Sequence, residues 1–441
     1  MSRTLLWVLV NEKRWTFPDF AREFTRAADR LAEDVQDARF RGLSISESSY
    51  RRLLSGKPGN AKFAQVVEHM FGRPTAELLT GAGGSDVRER AAAGLARGLA
   101  TAADEAADHA TAVASLLLSE QPLDQVRLDI ARLAATYNGL APADACARAG
   151  ELRARAVGLL DRTHVAQQKE RLLTAVGEAT ALLSMSAFDL GHVETAARLA
   201  RSTAMYGEAA RCTPLQAFAL GTMATAASWE GRAAEAVRLA RTGAGLAGVG
   251  TAGLRRLASV EARACARLGD EAGALAAVAR CDELAAGPVL RDDLHDGAAG
   301  EFRHDEMRLA RSHGTTFLLL GAGARSMAYA RLVLDLQAAL PPEQRVPRFE
   351  AEARADLAAA LLLGARLEEA AEVLEPVLTC APDRRVAGLV SRVSAVRALL
   401  AAGPPRRAAL AVGLDRALEA FVSEAVPGGP GRASLAVAVG T

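Results

Sequence analysis

Large rings are scarce in this chain. Aromatic residues make up 4% of 441 residues, which excludes a core built on stacked aromatics. Half the residues are hydrophobic and alanine dominates, so a large core can form from small side chains on closely packed helices. Lysine is scarcer still: among 53 basic residues only Lys13, Lys57, Lys62 and Lys169 are lysines, a bias that points to a GC-rich genome. A net charge of +1 excludes a polycation, so any affinity for nucleic acid must come from a local patch. The five cysteines (Cys146, Cys212, Cys265, Cys281, Cys380) are odd in number and without CxxC spacing. Zinc ribbons and disulfide frameworks are thereby excluded, and buried reduced thiols in the cytoplasm are expected. No uncharged apolar run reaches the ~18 residues of a membrane span. The apolar "LLWVLV" at 5–10 stops at Asn11-Glu12-Lys13, short of a signal-peptide core.

What is present divides near the glycine-rich "TGAGGSD" at 80–86. Before it, five short helices are expected at 3–14, 16–32, 46–55, 61–71 and 74–79. Thr16 and Ser46 are N-caps, and Pro18 sits in a first turn, where proline is tolerated. Phe17, Phe20, Ala21 and Phe24 share one helical face. After the joint a phrase recurs: "GHVETAARLA" from Gly191, "GRAAEAVRLA" from Gly231, "GDEAGALAAV" from Gly269, "GARSMAYARLVL" from Gly323 and "ARLEEAAEVL" from Ala365. In each, an alanine stands five positions after the first residue. The pattern predicts helix hairpins with uneven loops, a glycine of positive φ closing one helix and an alanine admitting the next. Such units bury their apolar faces only by stacking.

These stretches carry a resemblance. "LLWVLVNEKRWTFPDFAREFTRAA", "SESSYRRLLSGK" and "VVEHMFGRPTAELL", followed by "DIARLAATY" (129–137), "SAFDLGHVETAARLARS" (186–202) and "LGTMATAASWEGRAAEAVRLA" (220–240), resemble actinobacterial transcriptional regulators with an Xre-type helix-turn-helix and a tetratricopeptide-like array. The resemblance covers most of the chain. It implies an all-α protein: a five-helix DNA-binding domain at 1–80, a linker at 81–88, a helical-hairpin solenoid at 89–421 and a flexible tail at 422–441. It also implies a cytoplasmic homodimer on a double-stranded operator, with a peptide, small-molecule or protein effector on the repeats. One departure is the link between the second and third helices, 33–45, which is longer than the usual tight turn.

On a helical wheel of 46–55, Tyr50, Leu53 and Leu54 form the apolar face, while Ser48, Arg51, Arg52 and Ser55 point away. Arginine pairs bidentately with guanine and serine reaches bases or phosphates. Residues 41–73 hold Arg41, Arg51, Arg52, Lys57, Lys62 and Arg73 against Glu47 and Glu68, a surplus suited to phosphate contact. The DNA-binding candidates are therefore Ser46, Ser48, Arg51, Arg52, Ser55, Lys57 and Lys62, with Ser48 and Arg52 specifying and Arg51, Lys57 and Lys62 positioning.

Other motifs carry less. "GAGLAG" (243–248) and "GVGTAG" (248–253) match a dinucleotide fingerprint but follow a helix, so a flexible loop between repeats is expected. His295, His304 and His313 are nine apart and read as a charged loop and helix, not a metal site. Trp229, Tyr206 and Phe302 are candidates for a recognition groove, with repeat core as the stronger expectation. No P-loop, nucleophile elbow or HExxH occurs. No catalytic, metal or cofactor residues are assigned, and no enzyme is expected. The rival reading is a protein-interaction adaptor whose helix-turn-helix fold does not read DNA.

Overall fold

Small side chains and few breakers predict helices, and helices are what form. The computed structural model describes residues 3–81, 86–115, 118–297, 300–403 and 408–424. Among these residues there are twenty α-helices, short 3-10 turns and no strand. No helix among them is long and apolar enough to cross a membrane. The chain separates into two compact units, Met1–Val113 and Ala114–Thr441.

The first unit contains α1 (Leu5–Glu12), α2 (Phe17–Asp34), α3 (Glu47–Leu54), α4 (Ala61–Phe71), α5 (Thr75–Leu78) and most of α6 (Asp86–Ser115). The five expected helices fall where the caps put them. Thr16 precedes α2, its backbone N–H donating to Asp19 at 3.0 Å, and Ser46 caps α3. Leu6, Phe20, Phe24, Leu53, Val66 and Leu78 are wholly buried. Tyr50 lies 4.8 Å from Phe20 between ring centroids, which ties α3 to α2. The long link is anchored: Phe40 and Ile45 are buried, and the Gly42 N–H donates to Asp29 at 2.7 Å. Every described side chain of α6 is exposed, Leu95 and Leu99 included. Within the expected linker, residues 82–85 lie outside the described residues.

The second unit continues with α7 (Glu120–Thr136), α8 (Pro142–Leu160), α9 (Ala166–Asp189), α10 (Val193–Ala209), α11 (Thr213–Trp229), α12 (Ala233–Ala244) and α13 (Thr251–Arg267). It ends with α14 (Glu271–Ala286), α15 (Glu306–Leu319), α16 (Gly323–Ala339), α17 (Pro347–Leu363), α18 (Leu367–Leu378), α19 (Ala387–Ala402) and α20 (Ala409–Ser423). From α9 onward consecutive helices pack in pairs, and α9, α11, α13, α15, α17 and α19 also pack each on the next of that set. These odd-numbered helices form an inner layer, the even ones an outer layer. Of the expected tail 422–441, Val422 and Ser423 end α20, and residues 425–441 lie outside the described residues.

One register in the repeat is corrected. The helix-closing residues of positive φ are Gly191, Gly231, Gly269, Gly321 and Ala365, so the fourth repeat starts at Gly321 and not at Gly323. Two glycines two apart made the choice ambiguous. The small residue five positions on is then Ala196, Ala236, Ala274, Ser326 and Ala370, each wholly buried. Serine, like alanine, is small enough for the close approach. The "GAGLAG–GVGTAG" segment is the turn from α12 to α13, and it is pinned: the Gly250 N–H donates to Asp292 at 2.8 Å. Of the five free cysteines, Cys265 and Cys281 are buried, whereas Cys146 within α8, Cys212 just before α11 and Cys380 just after α18 are only half-buried.

Two predictions follow from this backbone. Ala365 holds φ +57°, a conformation that costs a Cβ-bearing residue about 1–2 kcal/mol. Ala365→Gly should therefore raise the urea midpoint, by about 1 kcal/mol of stability. Glu178, half-buried on α9, has its carboxyl pushed by burial from 4.5 up to about 7, with Arg127 opposing. The folded state thus binds a proton that the unfolded state has released, and stability falls as pH rises from 4.5 to about 7. In a melting series, Glu178→Gln should gain on the wild type across that window and hold its advantage above it.

Candidate functional site

Two places concentrate exposed or converging polar chemistry, one in each unit. In the first unit, α3 buries Tyr50 and Leu53 and exposes Ser48, Arg51, Arg52 and Ser55, as the wheel requires. The Ser46 hydroxyl accepts from the Ser49 N–H at 3.3 Å and lies 3.0 Å from the Ser48 hydroxyl, so it is occupied with capping. Arg51 pairs with Glu47 at 2.6 Å. Both are exposed, and such a pair holds its partners weakly. Arg52 is exposed; its carbonyl accepts from the Ser55 hydroxyl at 2.8 Å. Lys57 is exposed, while Lys62 is half-buried in the first turn of α4 and close to Asp37. Asp37 is held down to about 2, chiefly by Arg39. The face thus brings together Ser48, Arg51, Arg52, Ser55 and Lys57, with Ser46 as structural cap and Lys62 partly compensated.

The second place was not legible in the sequence. A concavity of about 930 Å³, open solvent included, is lined by α9, α11, α13, α15, α17 and α19 and by the segment around the 3-10 turn Gly300–Phe302. Seven arginines enter its lining against three carboxylates: Asp189, Glu301 and Glu352. Asp292, almost wholly buried, anchors the segment between α14 and α15: it accepts from the N–H groups of Gly250, Leu294 and His295 and faces the His295 ring at 2.9 Å. That anchor places Glu301 and His304 at the cavity. The expected "charged loop" is therefore corrected. His295 and His304 are buried because the segment turns them inward, where the His295 ring meets Asp292 and that of His304 lies 3.4 Å from Ser259; His313 is buried on α15 with its ring edge-on to Tyr329. Among the described residues no group of three His, Cys, Asp or Glu side chains is placed to hold a metal ion.

Four of the arginines are paired. Arg348 forks onto Asp189 at 2.6 and 2.7 Å, and Asp189 also accepts from the Tyr137 hydroxyl at 2.9 Å. Arg348 and Arg311 both reach Glu352. Arg392 donates to Asp356 at 3.1 Å and to Thr315 at 3.0 Å. Arg308 meets Glu301, which also accepts from Asn138 at 2.8 Å. Burial works to raise the Glu352 carboxyl, but Arg311, Arg392 and Arg348 hold it well below the usual range.

Of the remaining three, Arg303 is exposed, and Arg256 and Arg263 have no such compensation. Arg256 lies over the Phe218 ring at 3.9 Å and donates to the Phe218 carbonyl and the Thr222 hydroxyl, both at 3.0 Å. Gly221 makes this possible, since a Cβ there would meet the Arg256 guanidinium at 2.5 Å. Burial pushes Arg256 down to about 10. Arg263 is pushed down to about 9, first by burial and then by Arg392, Arg267, Arg311 and Arg256. His304, 3.4 Å from Ser259, is depressed by burial and by Arg256, Arg308 and Arg255, and is neutral at pH 7. Among the earlier groove candidates, Trp229 lines the cavity, Phe302 is wholly buried core against Phe218, and Tyr206 packs half-buried on the core of the first hairpins. No family model matches the chain, and no curated protein is similar to it.

Chemically, the lining offers donors and positive charge, while its acceptors are already engaged. Removing one partner of a buried pair costs about 3–5 kcal/mol. Arg348→Gln should lower stability by that order in urea unfolding, because Asp189 loses both its charged bonds. Arg348→Lys should recover little, since one ammonium cannot replace a two-pronged fork.

Proposed function

We propose that this protein is a DNA-binding transcriptional regulator: the N-terminal unit is a helix-turn-helix domain that sets α3 in the major groove, and a tetratricopeptide-like array senses an effector and dimerises the protein. The observation that carries this reading is α3 itself. One side is locked to the core through Tyr50 and Leu53, and the other presents Ser48, Arg51, Arg52 and Ser55 to solvent with Lys57 just beyond. A rigidly held helix with a free arginine and hydroxyls is what base-edge reading requires. The anchored link supports the reading, because Phe40, Ile45 and the Asp29–Gly42 bond fix the approach to α3. A single small domain of this kind gains useful specificity from a second half-site, hence the proposed homodimer. The regulator is proposed to act in the cytoplasm.

The test is capture of sheared genomic DNA by the purified full chain, with sequencing, at one fixed salt. Wild type should yield sharp peaks, and Arg51→Ala/Arg52→Ala should lose them. Arg52→Ala alone should relax one base position by about 1–3 kcal/mol. Lys57→Ala should weaken all sites evenly and reduce the salt slope by about one. Absence of peaks for the folded wild type would favour the adaptor reading.

A further inference from the structure

The cavity of the array holds more positive charge than its own carboxylates neutralise. Arg308, Arg311, Arg348 and Arg392 are matched by Glu301, Glu352, Asp189 and Asp356. Arg256 and Arg263 are not matched by any carboxylate at ion-pair distance among the described residues, although both line the same concavity. Arg263 makes no hydrogen bond, ion pair or ring contact with the described residues. It also lines a smaller adjoining cleft together with Trp229, Arg267 and Arg392. Two half-buried guanidinium groups without a carboxylate partner leave a local excess of positive charge in the concavity, which a bound anion offsets.

The lining also narrows the anion. A cation is excluded by the arginines. A duplex is too wide to enter a concavity enclosed by six helices of one array. An extended peptide needs acceptors for its own N–H groups, and Asp189, Glu301 and Glu352 are already taken by Arg348, Arg308 and Arg311. What the site offers is the unengaged Arg263 guanidinium, the N–H groups that Arg256 has left after bonding Phe218 and Thr222, and the Trp229 side chain; the Ser259 and Ser312 hydroxyls already donate to backbone carbonyls. Arginine forks match phosphate oxygens, and a tetrahedral group accepts from several directions at once. We infer that the inner face of the array is a binding site for a small phosphorylated metabolite, with the phosphates held between Arg256 and Arg263 and the organic part against Trp229. This names a ligand class for the sensor of the proposed regulator and rests on that reading for its regulatory meaning. The binding itself is measured without DNA.

The experiment is calorimetric titration of the full chain with inorganic pyrophosphate at constant ionic strength, with citrate as a carboxylate of comparable charge. Wild type should bind pyrophosphate saturably and at least tenfold more tightly than citrate. Arg263→Gln should weaken pyrophosphate at least tenfold. Because Arg263 has no partner to orphan, the ligand-free variant should melt no lower than the wild type, so lost binding is not lost folding. No saturable binding by the wild type would overturn the inference. So would unchanged binding by Arg263→Gln, citrate bound as tightly as pyrophosphate, or a ligand-free variant that melts lower. Pyrophosphate binding without any genomic DNA peaks would sink the regulator reading and leave the site standing; DNA peaks without pyrophosphate binding would do the reverse.

Discussion

Asp189 ends α9 and Arg348 opens α17, 159 residues apart in sequence, and the rest of the array depends on their meeting. The Asp189 side chain is 2% exposed and that of Arg348 18%, so neither charge can be left to water. The two-pronged bond between them, braced by the Tyr137 hydroxyl, joins the first hairpins to the last. Asn138 on Glu301 and Arg384 on the Gly139 carbonyl make the same closure from neighbouring turns. Helix stacking alone is a nearest-neighbour affair. These long-range polar bonds make the array curl back on itself and enclose a space.

Closure sets the electrostatics of that space. Each inner helix delivers its polar side chains to one concave face, so arginines from α13, α15, α17 and α19 crowd together. Carboxylates from α9 and α17 and from the 3-10 turn at Gly300–Phe302 quench some of that charge, and the half-buried Arg256 and Arg263 and the exposed Arg303 keep the remainder. Neutral His304 adds none. The long segment between α14 and α15 works here as a part of the wall, carrying Glu301 and His304 on a frame pinned by Asp292.

Much of the architecture could be read from local pattern. Thr16 and Ser46 announced their helices because a cap is a matter of a few consecutive residues. Phe20, Phe24, Tyr50 and Leu53 announced the small core because helical spacing places them on one side. The repeat was visible through its closing glycines, yet "GAGA" concealed its register in the fourth unit. Only backbone φ distinguishes Gly321 from Gly323, and only burial shows that Ser326 fills an alanine's place. The three histidines misled for a similar reason: a string of acids, glycines and histidines looks solvated until the elements it packs against are known.

By itself, the sequence determined an all-helical chain, the position and exposed face of α3, and a stack of helix pairs, because propensity, capping and periodicity act over short separations. The arginine cavity was decided by tertiary structure alone. In a chain whose basic residues are nearly all arginine, no single one stands out. Which of them lose water, which find a carboxylate and which find none depends on helices far apart in sequence being brought to one concave face, and no local pattern encodes that convergence.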